Sequence, residues 1–123
     1  MRLYSFEKLN VWKLSRELTK NIYEISSKFS NKERFGLTSQ IRRAVVSVSS
    51  NIAEGSSRRP GIEQTRYTEI SYGSLLGVLS QLITASDIGF IKETTINSQR
   101  PLIEEIGNKL NKLKEVLQSR GRK

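Results

Sequence analysis

Leu37 to Arg59 reads LTSQIRRAVVSVSSNIAEGSSRR, and the spacing within it decides the fold. At about 100° per residue, Leu37, Ile41, Ala44, Val45, Val48 and Ile52 share one face, as in an amphipathic helix turned to a core. Gln40, Arg43, Ser47, Asn51 and Glu54 form a separate polar stripe, again three and four apart. The remaining face carries Arg42, Val46, Ser49 and Ala53. A free surface helix rarely needs three distinct faces. The polar stripe is either a hydrogen-bonded network or ligand contact, or a solvated face with incidental pairs such as Asn51 with Glu54. On the third face Val46 and Ala53 would let a second copy approach. Gly55 reads as a C-terminal cap in the left-handed conformation. SSRRPG follows as a connection, and Pro60 suits a helix start because its missing N–H would be unpaired there.

The rest of the chain is helical by the same reasoning. A first helix is predicted over 6–29, where Val11, Leu14, Leu18, Ile22, Ile25 and Phe29 make one apolar stripe, with Trp12 and Tyr23 to its side. SNKERFG is the loop before the second helix, 37–54. A third spans 62–88 and stops at Gly89; a fourth spans 95–117 on Ile96, Ile103, Ile106, Leu110, Leu113 and Leu117, close to a heptad seam. Pro101 should kink that helix or move its start to near Ser98. Residues 119–123 read as a flexible tail. Short connections between four amphipathic helices predict an all-α, antiparallel up-and-down four-helix bundle that fills one domain, 1–123.

The third helix predicts an assembly. Leu75, Leu76, Val78, Leu79, Leu82 and Ile83 cover well over a third of its circumference, and Gly73, Gly77, Ser80 and Thr84 on the other side are small. A helix that is apolar or small nearly all round is usually buried, whereas in a lone bundle one face of each helix meets water. Surplus apolar surface suggests a homo-oligomer, with Val46, Ala53, Gly73 and Gly77 at the contact.

Charge narrows the partner. The chain has 21 Lys and Arg against 12 Asp and Glu, a net +9. Such a balance favours a polyanion. Between Glu33 and Ile91 every basic residue is an arginine: Arg34, Arg42, Arg43, Arg58, Arg59 and Arg66. Arginine suits bidentate phosphate contacts better than lysine. The C-terminal end sets Lys109, Lys112, Lys114, Arg120, Arg122 and Lys123 against the single acid Glu115. Part of that cluster complements a helix macrodipole; the rest reads as a basic tail that tracks phosphates or as a solvated surface. Arg42, Arg43, Arg58, Arg59, Arg66 and the C-terminal cluster are the candidate nucleic-acid contacts.

Chemistry is poorly provided for. There is no cysteine and no histidine, so disulfides, thiolates, the usual general base and the usual metal ligand are missing together. No phosphate-binding glycine loop, zinc spacing or nucleophile motif is present, and no helix-turn-helix or RNA-recognition signature. Glu54 and Glu69 read as structural carboxylates. No catalytic residue, metal or cofactor is predicted. No stretch approaches the roughly 18 apolar residues of a membrane span, and MRLYSFEKLNVW lacks a signal-peptide core. The expectation is a cytoplasmic protein that makes no membrane contact.

LTSQIRRAVVSVSSNIAEGSSR resembles the signature of the four-helix bundle proteins known as 23S rRNA intervening-sequence proteins, also called the S23 ribosomal protein family. FEKLNVWKLSRELTKNIYEISSKF is similar to that family's first helix, and ISYGSLLGVLSQLITASDIGFI to its third helix and following turn. One departure is visible: Gly77 stands where the family usually has an acidic residue after its Gly-Ser pair. The resemblance implies an up-down bundle, encoded in many members within insertions of large-subunit rRNA genes. It also implies likeness in fold to the accessory variability protein of diversity-generating retroelements, a basic homopentameric barrel that works with a reverse transcriptase and nucleic acid. A ring-like homo-oligomer, a pentamer by that likeness, and RNA as the preferred nucleic acid are therefore expected. The alternative is a scaffold whose helical faces dock a protein partner such as a polymerase.

Overall fold

The computed structural model describes residues 1–121; Arg122 and Lys123, assigned above to the basic tail, lie outside the described residues. Its helices are α1 (Asn10–Ser26), α2 (Leu37–Gly55), α3 (Ile62–Asp87) and α4 (Glu93–Gly121), with single 3-10 turns at Ser5–Lys8 and Asn31–Glu33. Each helix packs on the next, and α1 closes the circle against α4, while the diagonal pairs do not approach. The result is an antiparallel, up-and-down four-helix bundle, with no strand among the described residues.

The core is built from the stripes that the sequence spacing set out. Leu18 and Ile22 of α1, Ile41, Val45 and Val48 of α2, Leu75, Val78 and Leu82 of α3, and Ile106 and Leu110 of α4 are fully buried. Burying each such side chain stabilises the fold by about 1.5–3 kcal/mol. Small polar groups fill the narrow places: Ser15, Ser26 and Ser71 are also buried.

Helix boundaries differ from those predicted at both ends of the chain. The first helix does not begin at Phe6. Leu9 is extended, with φ −73° and ψ 125°, and Phe6 folds back to set its ring edge-on against Trp12, 4.9 Å between centroids. The Tyr4 N–H donates to Glu7 Oε2 at 2.7 Å, which ties this turn together. Nor does α1 reach Phe29. Ser26 and Ser27 turn their hydroxyls onto the carbonyls of Tyr23 and Glu24, a competition that weakens a helix end. Phe29 stays in the core from the loop, against Phe90 at 5.6 Å.

At the other end, α4 starts at Glu93, ahead of Pro101, and carries the proline inside it. The proline removes one intrahelical bond, but Ile96 before it and Ile103 after it are buried in the same core and hold both halves in place. Residues 119–121, predicted as tail, form the last turn of α4. Leu117, buried beneath that turn, anchors it.

Two glycines work by different means. Gly89 ends α3 with φ 86°; its N–H donates to Ser86 O and the Phe90 N–H to Ala85 O, the paired bonds of a Schellman motif. Gly55, predicted as a left-handed cap, is not one: positive φ occurs only at Gly61 and Gly89 among the described residues. Gly55 is the last residue of α2, and a Cβ there would lie 2.8 Å from Tyr67 Cβ on α3. It serves close approach, not backbone freedom. Gly55→Ala should therefore cost about 1–3 kcal/mol by overpacking, and Gly89→Ala more than about 1 kcal/mol through strain at positive φ. Urea denaturation of each variant measures the loss; a Gly55→Ala variant as stable as the parent would refute the close-approach reading.

Candidate nucleic-acid interface

The polar stripe of α2 faces α3 for much of its length. Ser47 Oγ and Ser74 Oγ lie 2.8 Å apart. Asn51 Nδ2 donates to Ser47 O at 2.8 Å and to Ser47 Oγ at 2.9 Å, and either hydroxyl can be the donor between Ser47 and Ser74. The buried Ser71 hydroxyl donates back to Val48 O at 2.9 Å. These bonds stitch the α2–α3 seam, so Ser47 and Asn51 are structural. Glu54 is paired with Arg58, Nη2 to Oε1 at 3.2 Å. Gln40 and Arg43, at the other end of the stripe, are exposed.

The candidate arginines do not converge. Arg43 and Gly55 are separated by roughly 18 Å of helix rise, and the bundle places basic groups at both ends. Arg34, Arg42 and Arg43 sit where α1 passes into α2; Arg58, Arg59 and Arg66 sit where α2 passes into α3. Arg120 joins the second group, because the end of α4 helps to wall a cleft of about 180 Å³ with Asn51, Gly55, Gln64 and Thr68.

Several of these cations are engaged within the chain. Arg42 was predicted to contact phosphate. Instead its Nε donates to Ser26 Oγ at 2.8 Å and its Nη2 to Tyr23 O at 3.2 Å, with the guanidinium 4.6 Å from the Tyr23 ring centroid. It is half-buried and clamps α2 to α1. Arg58 lies over the Tyr67 ring at 5.3 Å as well as on Glu54. Lys114 reaches Glu69 across the α3–α4 seam at 3.3 Å. Lys109 and Lys112 share one shallow surface of α4 with Glu104 and Glu105, which offsets their charge. Arg43, Arg59, Arg66 and Arg120 are exposed and have no acid within ion-pair distance among the described residues. Sequence reasoning passed over Phe35, beside Arg34 in the loop, which is 89% exposed. An aromatic beside an arginine in a polar loop was the available signal.

The predicted contact residues fall in two places. Gly73 and Gly77 lie on the outer side of α3, and a Cβ at either would meet nothing within 4 Å. Around them Ile70, Leu76 and Ile83 are exposed, and the chain carries no charge from Ile70 to Ser86. Val46 and Ala53 share the flank of α2 that carries the Arg42 clamp to α1, while Ser47 on the other flank faces α3. They therefore belong to a second patch.

Among the described residues no group of three or more His, Cys, Asp or Glu side chains could hold a metal ion, and no helix is long and apolar enough to cross a membrane.

Residues 7–112 match the family model for 23S rRNA-intervening sequence proteins. A solved crystal structure is similar in fold: a protein of unknown function from the S23 ribosomal protein family of Bacteroides thetaiotaomicron, with a TM-score of 0.63 at 18% identity, covering 92% of this chain and 99% of that one. No curated protein matches the chain.

If Arg42 is a clamp, Arg42→Ala should cost about 1–2 kcal/mol of stability, whereas Arg43→Ala, on the exposed stripe, should stay within about 0.5 kcal/mol of the parent. Thermal melts of the two variants side by side test this; equal stabilities would return Arg42 to the surface.

Proposed function

The chain belongs to the 23S rRNA-intervening sequence protein family, and from that premise we propose that it is a non-catalytic, cytoplasmic, homo-oligomeric bundle that binds nucleic acid, RNA by preference, through phosphate contacts. The observation that carries the proposal is the state of its cations. With a net +9, the described residues contain only two ion pairs, Arg58 with Glu54 and Lys114 with Glu69. The candidate arginines left unpaired lie toward the two ends of the bundle, while Arg16 and Arg100 stand along α1 and α4, Arg100 beside Leu76 and Leu79 of α3. A polyanion relieves that repulsion and releases its own counterions in doing so. With Ser47 and Asn51 spent on the α2–α3 seam, what remains is a surface suited to backbone contacts and little base reading.

A salt titration of RNA binding tests it. For the parent, the logarithm of the association constant should fall steeply with the logarithm of salt concentration. Arg59→Ala combined with Arg66→Ala should flatten the slope by roughly 1.4, two single-strand phosphate contacts, and weaken different sequences about equally. An unchanged slope removes this end of the bundle from the interface.

The two uncharged or small-residue patches support the assembly. A ring is built by a heterologous contact, in which one patch meets a different patch on the next copy. The Gly73–Gly77 surface of α3 and the Val46–Ala53 flank of α2 are such a pair. In the isolated chain, alanine at Gly73 and Gly77 should raise stability by up to about 1 kcal/mol at each position through helix propensity. In the assembly the same methyl groups should obstruct close packing. Sedimentation of the double variant should then show smaller particles with a higher unfolding midpoint for the separated chain; particles of the parent's mass would take these glycines out of the contact. The same face would serve a scaffold for another protein, and a parent that sediments as a monomer would favour that reading.

A further inference from the structure

We infer that the groove where α1 passes into α2 is a site for single-stranded nucleic acid, in which an unpaired base stacks on Phe35 while neighbouring phosphates meet Arg34 and Arg43. The inference rests on the phosphate-binding reading above and adds to it a place and a strandedness.

The groove brings together Tyr23, Arg34, Phe35, Arg42 and Arg43, with the hydroxyls of Thr38 and Ser39 between them, and it ends on Val46 and Ser47, so it borders the α2 flank offered above as a subunit contact. Its wall holds three guanidinium groups and no carboxylate. The nearest acids in sequence are otherwise placed. Glu33 turns its Oε1 to the Leu37 N–H at 3.1 Å, where it caps α2, and Glu24 lies on the exposed side of α1. The wall is therefore uniformly cationic.

Phe35 makes this more than a basic patch. The core uses Phe29, two residues before the 3-10 turn, and has no use for Phe35, which is 89% exposed. An exposed phenyl ring is common on its own; one set among guanidinium groups offers a π-face beside fixed cations. Arg34 lies over the ring with its guanidinium carbon 5.5 Å from the centroid. Next to it, Tyr23 is half exposed beneath Arg42 at 4.6 Å. Aromatic rings interleaved with arginines are what an unpaired strand requires: a π-face for the base and a fixed cation for each phosphate beside it. A duplex keeps its bases stacked on one another and has nothing to offer the ring, so it should use only the arginines. An acidic protein segment could satisfy the charge but would leave the ring without a base to stack on.

The Arg42 clamp gives the groove its shape. By holding Tyr23 against α2 it keeps one wall fixed, while Arg43 is exposed on the next position of the helix and remains available.

The test uses the full chain and compares labelled oligouridylate, oligothymidylate and an RNA duplex by fluorescence anisotropy at one low salt concentration. Phe35→Ala should weaken both single strands about tenfold and the duplex less than about twofold. Phe35→Trp should restore single-strand binding, and Phe35→Leu, apolar but without a π-face, should not. Because the ring is exposed, all three variants should fold, which circular dichroism checks. Single-strand affinity unchanged in Phe35→Ala, or restored equally by leucine, overturns the stacking site and leaves general phosphate binding intact. A change in particle mass on sedimentation of Phe35→Ala overturns it too, because Phe35 would then sit between copies. A parent protein that binds neither strand nor duplex overturns both readings.

Discussion

The α2–α3 seam is the contact on which the rest of the molecule depends. It is made of small groups: Ser47 against Ser74, Ser71 against the Val48 carbonyl, and Gly55 beneath Tyr67. Small side chains allow the two helices to run close together, and the Ser47, Ser71 and Ser74 hydroxyls find partners there, although the buried Thr65 hydroxyl of α3 does not; an unsatisfied one costs about 1–3 kcal/mol. These bonds and the close approach at Gly55 favour one register of α2 against α3. A slip of one residue would bury a hydroxyl without its carbonyl. Everything placed by the ends of these helices follows from this register, including the arginines on either side of α2.

With one flank of α2 committed to α3 and its apolar face to the core, the Arg42 clamp supplies the third attachment, to α1. A long cationic side chain is an unusual clamp. Here it bonds to Ser26 Oγ and the Tyr23 carbonyl and rests on an aromatic ring, so the guanidinium is satisfied without an acid. The clamp itself needs no carboxylate, and the one beside Arg34, Glu33, is engaged in capping α2. The arrangement at the other end is less complete, because Glu54 and Glu69 neutralise Arg58 and Lys114. The two ends thus differ in kind: one has an aromatic groove whose wall carries guanidinium groups without a carboxylate, the other is basic and partly paired.

The three faces of α2 were legible in sequence because helical period alone separates them. What each face meets was not. Ser47 and Asn51 have the same spacing whether they look to water or to a neighbouring helix, and only the position of Ser74 decides. Arg42 looked like its neighbour Arg43 for the same reason; the difference lies in Ser26 and Tyr23, on another helix. Gly55 was read as a turn residue because glycine at a helix end usually is one, and the competing cause, the Cβ of Tyr67, is a tertiary contact. Pro101 and the tail erred in the opposite direction. Local propensity argued for breaks that burial of Ile96, Ile103 and Leu117 overrides. Phe35 has one sequence signal, an aromatic beside an arginine in a polar loop, but without periodicity it does not say whether the ring is buried or exposed; only the fold decides that.

Surface chemistry and assembly are linked by geometry. The uncharged face of α3 and the small-residue flank of α2 both run along the side of the bundle, whereas Arg34, Arg58 and Arg59 stand toward its ends; the α2 flank and the arginine groove meet at Val46. Copies joined through their sides around a closed ring would keep their helices alongside one another and all their ends free. The aromatic–arginine groove of each copy would then recur around one rim, and Arg59, Arg66 and Arg120 around the other. A single groove that holds one base and two phosphates binds weakly. A rim of such grooves turns each further contact along the same strand into an intramolecular event, at an effective concentration of about millimolar for a short flexible link. In the proposed ring, the apolar surface that a lone bundle would waste and the charge that it would suffer would have one use: the first would join the copies, and the second would serve the proposed phosphate contacts.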